Sequence, residues 1–300
     1  MRVYSLSDGL SDFLGFEDDG NMIDLSRAVA LYEMTRSGSY DDPPVDIEEM
    51  IWEDKFTVEY IGEVMECVEK CGLKVDLAVD DNCKVNAPVY PGKIIALGNN
   101  YRAHIEELGQ AFPEEPVLFG KWPSTLIGQG EPIIKPPWIG RMDYEAELAF
   151  VIGRRTSRVR AEDAMKYVAG YTCLNDVSAR DIQSKDISRQ LPWMSSKNFD
   201  TFCPLGPCVL LAAAVKEPVQ VDVQSKVNGE LRQNGNTRDF IFDIPTVIEY
   251  ISKIMTLDPG DVVTTGTPSG VGPVEPDDLV EITCSGIGTL SNPVVAQEND

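Results

Sequence analysis

Histidine is almost absent from this chain of 300 residues, which contains a single one, His104. A metal site built from several histidines is therefore excluded, and few groups other than His104 can act as a base near neutral pH. Glu107 lies three positions later and shares a helical face with His104 if this segment is helical. The two residues are a candidate general base with its carboxylate partner, and the alternative is a surface histidine at the tip of a loop.

Basic residues are also scarce, because 26 lysines and arginines stand against 49 acidic residues and leave a formal net charge of −23. Nucleic acids and anionic membranes attract lysine and arginine, so this charge argues against both as partners. The excess of acid is compatible with a salty habitat or with a demand for solubility.

Long apolar runs and a recognisable cysteine motif are missing as well. No run reaches the ~18 residues of a membrane helix, and the N-terminus shows no secretory signal, so we expect a cytoplasmic protein. The seven cysteines are odd in number, and Cys67-x-x-x-Cys71 fits neither a thioredoxin-type motif nor a zinc ribbon. Zinc is therefore a poor candidate metal. Four cysteines in apolar surroundings are expected to be buried free thiols: Cys173, Cys203, Cys208 and Cys284.

Two parts of the chain differ in character. Residues 1–88 are acidic, with short strands and helices at 25–36 and 58–71, and are predicted to form a small α/β N-terminal domain. Residues 89–300 are predicted to form a second, strand-rich domain, with strands at 93–97, 144–152, 206–211, 219–227, 261–265 and 278–284. Asn228-Gly229 indicates a hairpin, and helices are expected at 161–168 and, after the N-cap Asp243, at 245–255. The fold class is therefore α+β and predominantly β, and a doubly wound sheet is disfavoured.

Three carboxylates follow or begin strand-like segments. A strand over 144–152 points Glu145 and Glu147 to one face, with their Cα atoms about 6–7 Å apart. Like charges so placed repel unless a cation or proton intervenes, and the alternative is a solvated polar face. Asp176 follows the apolar stretch 168–174, where a buried strand is expected to end. Three carboxylates with waters would suit Mg²⁺ or Mn²⁺.

Two lysines and one glycine-rich loop complete the candidate site residues. Lys121 and Lys197 lie among aromatic and apolar residues, and the alternative is that their stems cover apolar surface while the ammonium groups reach water. The loop 264–272 lacks the lysine of a phosphate-binding loop. Its free N–H groups suit a carboxylate, and a plain structural turn is the alternative.

Taken together, these strings resemble the fumarylacetoacetate hydrolase (FAH) family, most closely its acylpyruvase branch of FAH-domain-containing proteins. The resemblance covers about residues 93–295 and implies that residues 89–300 are the FAH-like catalytic domain. The motifs that carry it are Asn100-Tyr101-x-x-His104, Pro116-Val117-Leu118-Phe119-x-Lys121, Glu145-x-Glu147, Asp176-x-x-Ala179-Arg180-Asp181-x-Gln183, Leu191-Pro192-Trp193-x-x-x-Lys197, Val227-Asn228-Gly229-Glu230-Leu231-Arg232-Gln233 and Gly266-Thr267-Pro268-x-Gly270-Val271-Gly272.

The resemblance implies a rolled mixed β-sheet, usually in a homodimer, and a set of site residues. It implies that Mg²⁺ or Mn²⁺ is held by three metal ligands: Glu145, Glu147 and Asp176. Lys197 and Thr267 match positions that contact the 2-oxo-carboxylate end of a substrate, with Gln183 nearby. His104 and Glu107 match a dyad on a segment that closes over the site as a lid, and Lys121 matches a further site lysine.

The activity implied is hydrolysis of a carbon–carbon bond in a 2,4-dioxo acid, such as an acylpyruvate, fumarylpyruvate or a diketo-deoxy sugar acid. Glu107 would orient His104, which activates a water, and the metal and Lys197 would stabilise the resulting enolate. The alternatives are a 2-oxo acid decarboxylase, a tautomerase or isomerase, or a dehydratase that uses the same site. A non-catalytic binder is the remaining hypothesis.

Overall fold

The computed structural model describes residues 1–39, 42–80, 82–109 and 111–298. The strands are β1 (Arg2–Ser7), β2 (Asp12–Asp18), β3 (Asn21–Asp24), β4 (Lys84–Val85), β5 (Ile94–Gly98), β6 (Val117–Lys121), β7 (Leu126–Ile127), β8 (Ile133–Lys135), β9 (Met142–Tyr144), β10 (Ala146–Ile152), β11 (Val168–Asn175), β12 (Ser178–Ala179), β13 (Cys203–Leu211), β14 (Asp222–Val227), β15 (Glu230–Asn236), β16 (Val262–Thr264), β17 (Gly272–Pro273), β18 (Leu279–Cys284) and β19 (Gly288–Ala296). The α-helices are α1 (Leu25–Ser37), α2 (Ile47–Trp52), α3 (Val58–Cys71), α4 (Arg102–Leu108), α5 (Arg180–Ser188), α6 (Met194–Lys197) and α7 (Ile244–Ile254).

Local signals account for the best-predicted elements. Helix α7 begins after Asp243, whose side chain accepts a hydrogen bond from the N–H of Thr246, and its apolar stripe is buried. Strands β14 and β15 form the hairpin predicted at Asn228-Gly229, with Val227 opposite Glu230. The predicted helix at 161–168 is instead a 3₁₀-helix over Ala161–Tyr167.

The strands form a mixed arrangement, as predicted. The largest sheet has the order β3-β2-β1-β13-β11-β10-β16-β5-β6, with β4 beside β1 and β7 beside β13. A second sheet has the order β15-β14-β18-β19-β8, and a third has the order β12-β9-β17. Most pairs are antiparallel, while β5–β16, β7–β13 and β8–β19 are parallel. The architecture is α+β and rich in strands, and it is not doubly wound.

Strand β10 is buried on both faces, which corrects the alternative of a solvated face. Leu148 and Phe150 belong to a core shared with α7 and the second sheet, whereas Ala149 and Val151 belong to a core shared with α1, α2 and α3. The strand predicted over 144–152 is also interrupted, since Glu145 lies between β9 and β10. The site residues at the start of β10 therefore sit in the protein interior.

The segment before residue 88 extends the largest sheet, because β1 pairs with β13. The division into domains at residue 88 stays a prediction. Cys173, Cys203, Cys208 and Cys284 are buried free thiols, as expected. Within the described residues, no helix combines the length and apolar character that crossing a bilayer requires.

Candidate metal centre and substrate cavity

The register of β10 and β11 brings three carboxylates together. Ala146 lies opposite Asn175 and Glu147 opposite Leu174, so the start of β10 is beside the end of β11. The N–H of Asp176 donates a hydrogen bond of 2.9 Å to the carbonyl of Glu145. Two carboxylates from one strand and one from its neighbour therefore converge at the same point.

The three carboxylates are compact enough to hold one ion. Glu145, Glu147 and Asp176 are buried, and each offers an oxygen within 4.8 Å of the oxygens offered by the other two. Opposite oxygen ligands of an octahedral Mg²⁺ are about 4.2 Å apart, since each bond is about 2.1 Å. The donors are hard oxygens, the class that Mg²⁺ and Mn²⁺ prefer.

Two buried lysines are paired with this cluster. Nζ of Lys197 donates a hydrogen bond of 2.7 Å to Oε2 of Glu145 and also contacts Asp176. Nζ of Lys121 donates to Oδ1 of Asp176 over 2.8 Å and to the carbonyl of Lys197 over 2.6 Å. The alternative that these ammonium groups reach water is wrong, because each lysine is only 2% exposed.

The electrostatics differ sharply between the two glutamates. Burial by itself raises the pKa of Glu145, but the charges of Lys197 and Arg180 outweigh it and hold that pKa far below its usual range. Burial, followed by the charges of Asp176 and Glu145, raises the pKa of Glu147 well above its usual value. Glu145 is therefore ionised, whereas the protein alone disfavours the charge of Glu147.

Glu147 is the observation that favours a cation in this cluster. Its Oε2 contacts the hydroxyl of Thr264 and accepts a hydrogen bond of 2.9 Å from the N–H of Gly266. In the described part of the chain, no lysine or arginine forms an ion pair with Glu147. A buried carboxylate without a charge partner, next to two other carboxylates, fits a divalent ion.

His104 lies on α4 and is buried, so the alternative of a surface histidine at a loop tip is wrong. Its Nδ1 is 3.5 Å from Oε2 of Glu107, and that oxygen also accepts a hydrogen bond of 3.3 Å from the N–H of Gly270. Burial lowers the pKa of His104 below its usual value of 6.5. The imidazole is therefore neutral near pH 7 and able to accept a proton.

A cavity of about 310 Å³ opens beside these groups. Six of the nine candidate site residues line it: His104, Glu145, Glu147, Gln183, Lys197 and Thr267. The other three contact members of this set, since Glu107 approaches His104 and both Lys121 and Asp176 contact Lys197. The structure brings all nine side chains into one connected cluster. Their individual roles stay predictions.

Arg180 is a site residue that sequence reasoning missed, because it was noted only for its place in a motif. Its guanidinium donates to Asp143 over 2.7 Å and contacts both Glu145 and Gln183. It also lines the cavity. The sequence feature that indicates it is an arginine four residues after Asp176 in a chain with few basic residues. Its partner Asp143 is distant in sequence and carries no such signal.

Comparison with known proteins identifies related chains over most of this length. Residues 93–295 match the family model described as fumarylacetoacetate (FAA) hydrolase C-terminal. The oxaloacetate tautomerase YisK of Bacillus subtilis (strain 168) is 43% identical over 223 residues, which are 70% of this chain and 73% of that protein.

The solved structures that resemble nearly the entire chain include an isomerase and a hydrolase. A 5-carboxymethyl-2-hydroxymuconate delta-isomerase from Mycobacterium smegmatis has a TM-score of 0.75 at 34% identity and covers 100% of both chains. A fumarylacetoacetate hydrolase from the psychrophilic Exiguobacterium antarcticum has a TM-score of 0.76 at 32% identity, over 99% of this chain and 100% of that one. The names of the three relatives describe a tautomerase, an isomerase and a hydrolase.

Proposed function

This chain belongs to the fumarylacetoacetate hydrolase family, and on that premise we propose that it is a divalent-metal-dependent hydrolase that cleaves a carbon–carbon bond in a 2,4-dioxo acid. The observation that carries the proposal is the single cavity that His104 shares with the buried carboxylates and Lys197. The cavity thus joins a candidate base to a carboxylate cluster that could hold a divalent ion, and such an ion would attract an anionic substrate. Its small-molecule partner would be a 2-oxo acid.

The metal would be Mg²⁺ or Mn²⁺, held by Glu145, Glu147 and Asp176. When bound, such an ion supplies Lewis-acid chemistry and a template for the 2-oxo-carboxylate. Lys121 forms an ion pair with Asp176, and Lys197 forms ion pairs with Asp176 and Glu145. We propose that the same network fixes the positions of the ligands before substrate arrives.

Lys197 is the cation proposed for the 2-oxo-carboxylate end, because its ammonium lines the cavity and is fully desolvated. Thr267 and Gln183 line the same space. The hydroxyl of Thr267 donates to the carbonyl of Ala146 over 2.9 Å and accepts from Gln233 over 2.8 Å, so its position is fixed. These side chains would orient the substrate rather than react with it.

His104 would take a proton from a water, with Glu107 orienting the imidazole. That water attacks the distal carbonyl carbon, the C3–C4 bond breaks, and its electron pair stays on the pyruvate fragment near the ammonium of Lys197. Protonation of C3 then gives pyruvate, and the acyl part leaves as a carboxylic acid. Neutral His104 is the form this step requires, in agreement with its lowered pKa.

A second candidate is the tautomerisation of a 2-oxo acid, which moves a proton between C3 and the 2-oxo oxygen. The observation that favours it is the 43% identity to a protein named as an oxaloacetate tautomerase. One base and one oxyanion site are enough for that reaction, and this cavity contains both kinds of group. Decarboxylation, isomerisation and dehydration would draw on the same groups.

The test is turnover by the purified protein with MgCl₂, with EDTA as the control. Release of acetate and pyruvate from 2,4-dioxopentanoate supports the hydrolase. If the protein accelerates the enol–keto exchange of oxaloacetate but cleaves no dioxo acid, the proposed activity is tautomerisation instead of hydrolysis. No turnover of these two compounds, of longer acylpyruvates or of a diketo sugar acid would favour a non-catalytic binding protein. Gel filtration of the same sample tests the homodimer that we also propose.

A further inference from the structure

Four of the residues that line the cavity are apolar: Leu97, Phe119, Ile187 and Trp193. The rings of Phe119 and Trp193 meet edge to face, with centroids 5.5 Å apart and an interplanar angle of 64°. Ile187 is 48% exposed although it is large and apolar. Leu97 also belongs to the core, whereas apolar side chains that face a cavity, as Phe119 and Trp193 do, are available to a ligand.

This apolar part begins where the charged part of the cavity ends. Nζ of Lys197, which is bound to Glu145, lies 5.1 Å from the centroid of the Phe119 ring. Trp193 directly precedes α6, and Lys197 is the last residue of that helix. A substrate whose 2-oxo-carboxylate lies at Lys197 would therefore extend its distal group along Phe119 and Trp193.

The indole of Trp193 packs against Gly98, the last residue of β5. A Cβ atom on Gly98 would lie 2.6 Å from Cζ3 and 2.9 Å from Cη2 of Trp193. The indole therefore rests against the backbone of β5, in space that any other residue at position 98 would occupy. We call the surface formed by Phe119 and Trp193, with the indole packed on Gly98 at the end of β5, the apolar wall of the cavity.

The charged side chains of the cavity cluster around Glu145 and Lys197. Among the described residues that line it, the permanent cations are Arg180 and Lys197, and both contact Glu145. A distal carboxylate would thus lack a free charge partner beside Phe119 and Trp193. A polyhydroxylated chain would lose water hydrogen bonds against two aromatic rings.

We propose that Trp193 is a specificity-determining residue and that the substrate carries a neutral apolar group, aliphatic or aromatic, at its distal end. The inference rests on the proposed function, since it takes the 2-oxo-carboxylate to lie at Lys197. It selects apolar acylpyruvates over fumarylpyruvate and over diketo sugar acids. The apolar wall formed by Phe119 and Trp193 disfavours the latter two because aromatic rings cannot replace the hydrogen bonds to water that their polar groups lose.

The test is binding of 2-oxo acids of increasing chain length to the full chain with MgCl₂, measured by calorimetry. From pyruvate to 2-oxobutanoate, 2-oxopentanoate and 2-oxohexanoate, the affinity should rise by up to about fourfold per methylene group. 2-Oxopentanedioate, with a distal carboxylate, should bind more weakly than 2-oxopentanoate. Equal affinities along the series, or tighter binding of the dicarboxylate, would overturn the proposal.

Because these ligands are bound and not cleaved, the result does not depend on catalysis. If affinity rises with chain length but no dioxo acid is turned over, the proposed apolar binding surface is supported and the proposed hydrolase activity is contradicted. If dioxo acids are cleaved but affinity does not change with chain length, the hydrolase activity is supported and the apolar binding surface is contradicted.

Substitutions test whether the indole of Trp193 causes the dependence of affinity on chain length. Trp193→Ala should lower the affinity for 2-oxohexanoate about tenfold and change the affinity for pyruvate less than twofold, whereas Trp193→Phe should keep most of the chain-length effect. Gly98→Ala should reduce the effect by displacing the ring. Trp52→Ala, an exposed residue on α2, is the matched control and should change nothing. An undiminished chain-length effect in Trp193→Ala would contradict the assignment.

Discussion

Nζ of Lys197 donates a hydrogen bond of 2.7 Å to Oε2 of Glu145, and both side chains are buried although they are 52 positions apart in the chain. The carboxylate is also a candidate metal ligand, so Lys197 is one of the charge partners of the cluster, beside Lys121 and Arg180. The desolvated ammonium stays charged because Asp176 and Glu145 outweigh the effect of burial and raise the pKa of Lys197. The stability of this part of the fold therefore depends on the ion pair.

Lys197→Met tests that dependence in protein freed of metal with EDTA. The substitution keeps an apolar stem but leaves Glu145 and Asp176 with fewer charge partners in the interior. We expect a loss of about 3 kcal/mol in the free energy of unfolding, the scale for breaking a buried pair from one side. Urea unfolding measures it. Lys185→Met, at an exposed position on α5, is the control, and equal stability of the two variants would contradict the prediction.

His104→Ala tests the proposed base. Because His104 lines the cavity but is outside the carboxylate cluster, its loss should abolish cleavage of 2,4-dioxopentanoate and leave the affinity for Mn²⁺ nearly unchanged. General-base catalysis contributes about 100-fold to 10,000-fold, which sets the expected drop in kcat. Glu107→Gln should give a smaller drop. Full cleavage by His104→Ala would refute the role of the dyad.

The parts of the fold that could be predicted are those with local causes. Helices α3 and α7 have apolar residues at helical spacing and side chains that cap their first turns, so the segments themselves specify them. The hairpin at Asn228-Gly229 is likewise encoded in two residues. Strand β19 escaped prediction because Asn292 and Pro293 within it are typical of loops, and only its pairing with β18 and β8 makes it a strand.

In the candidate site, too, some features could be predicted from the local sequence and others could not. The types and spacing of Glu145, Glu147 and Asp176 predict carboxylates that would suit Mg²⁺ or Mn²⁺, with a solvated polar face as the alternative for the glutamates, and the structure brings the three together. The ion pairs of Lys197 and Arg180 could not be predicted, because they follow from the register of β10 with β11 and from the path of the chain after Asp176. Burial of β10 on both faces is also a tertiary effect, since the covering layers come from distant segments.

Gly270→Ala tests how the glycine-rich loop supports Glu107. Gly270 has φ +94°, and a Cβ atom there would lie 2.4 Å from the carbonyl oxygen of Arg232. The backbone must shift, and the N–H that binds Glu107 shifts with it. We expect a loss of about 2 kcal/mol in the free energy of unfolding and at least a tenfold lower kcat.

Gly229→Ala is the control for strain alone. Gly229 also has a positive φ, of +78°, but a Cβ atom there would meet nothing within 4 Å. The control should cost about 1 kcal/mol of unfolding free energy and leave kcat unchanged. The explanation through the Arg232 carbonyl fails if both variants lose the same stability and the same activity.

Glu48 on α2 predicts a pH dependence of stability away from the cavity. Its Oε1 contacts the N–H of Tyr90, its Oε2 is buried without a hydrogen-bond partner among the described atoms, and its Cγ packs near Gly260. Burial raises the pKa of Glu48 above its usual value of 4.5. The folded state therefore binds the proton more tightly than the unfolded state does, and ionisation of this carboxyl destabilises the fold.

The sign of the effect follows from that shift. Below pH 4.5 the carboxyl is protonated in both states and carries no penalty, whereas stability falls as the pH rises from 4.5 through the higher pKa of the folded state. Glu48→Gln removes the charge, so it should raise the Tm by about 2 °C at pH 8, the shift that roughly 1 kcal/mol gives in a chain of this size. At pH 4 the gain should vanish. Glu69→Gln, at an exposed position on α3, should change the Tm at neither pH, and a gain for Glu48→Gln of the same size at both would show that packing rather than charge is responsible.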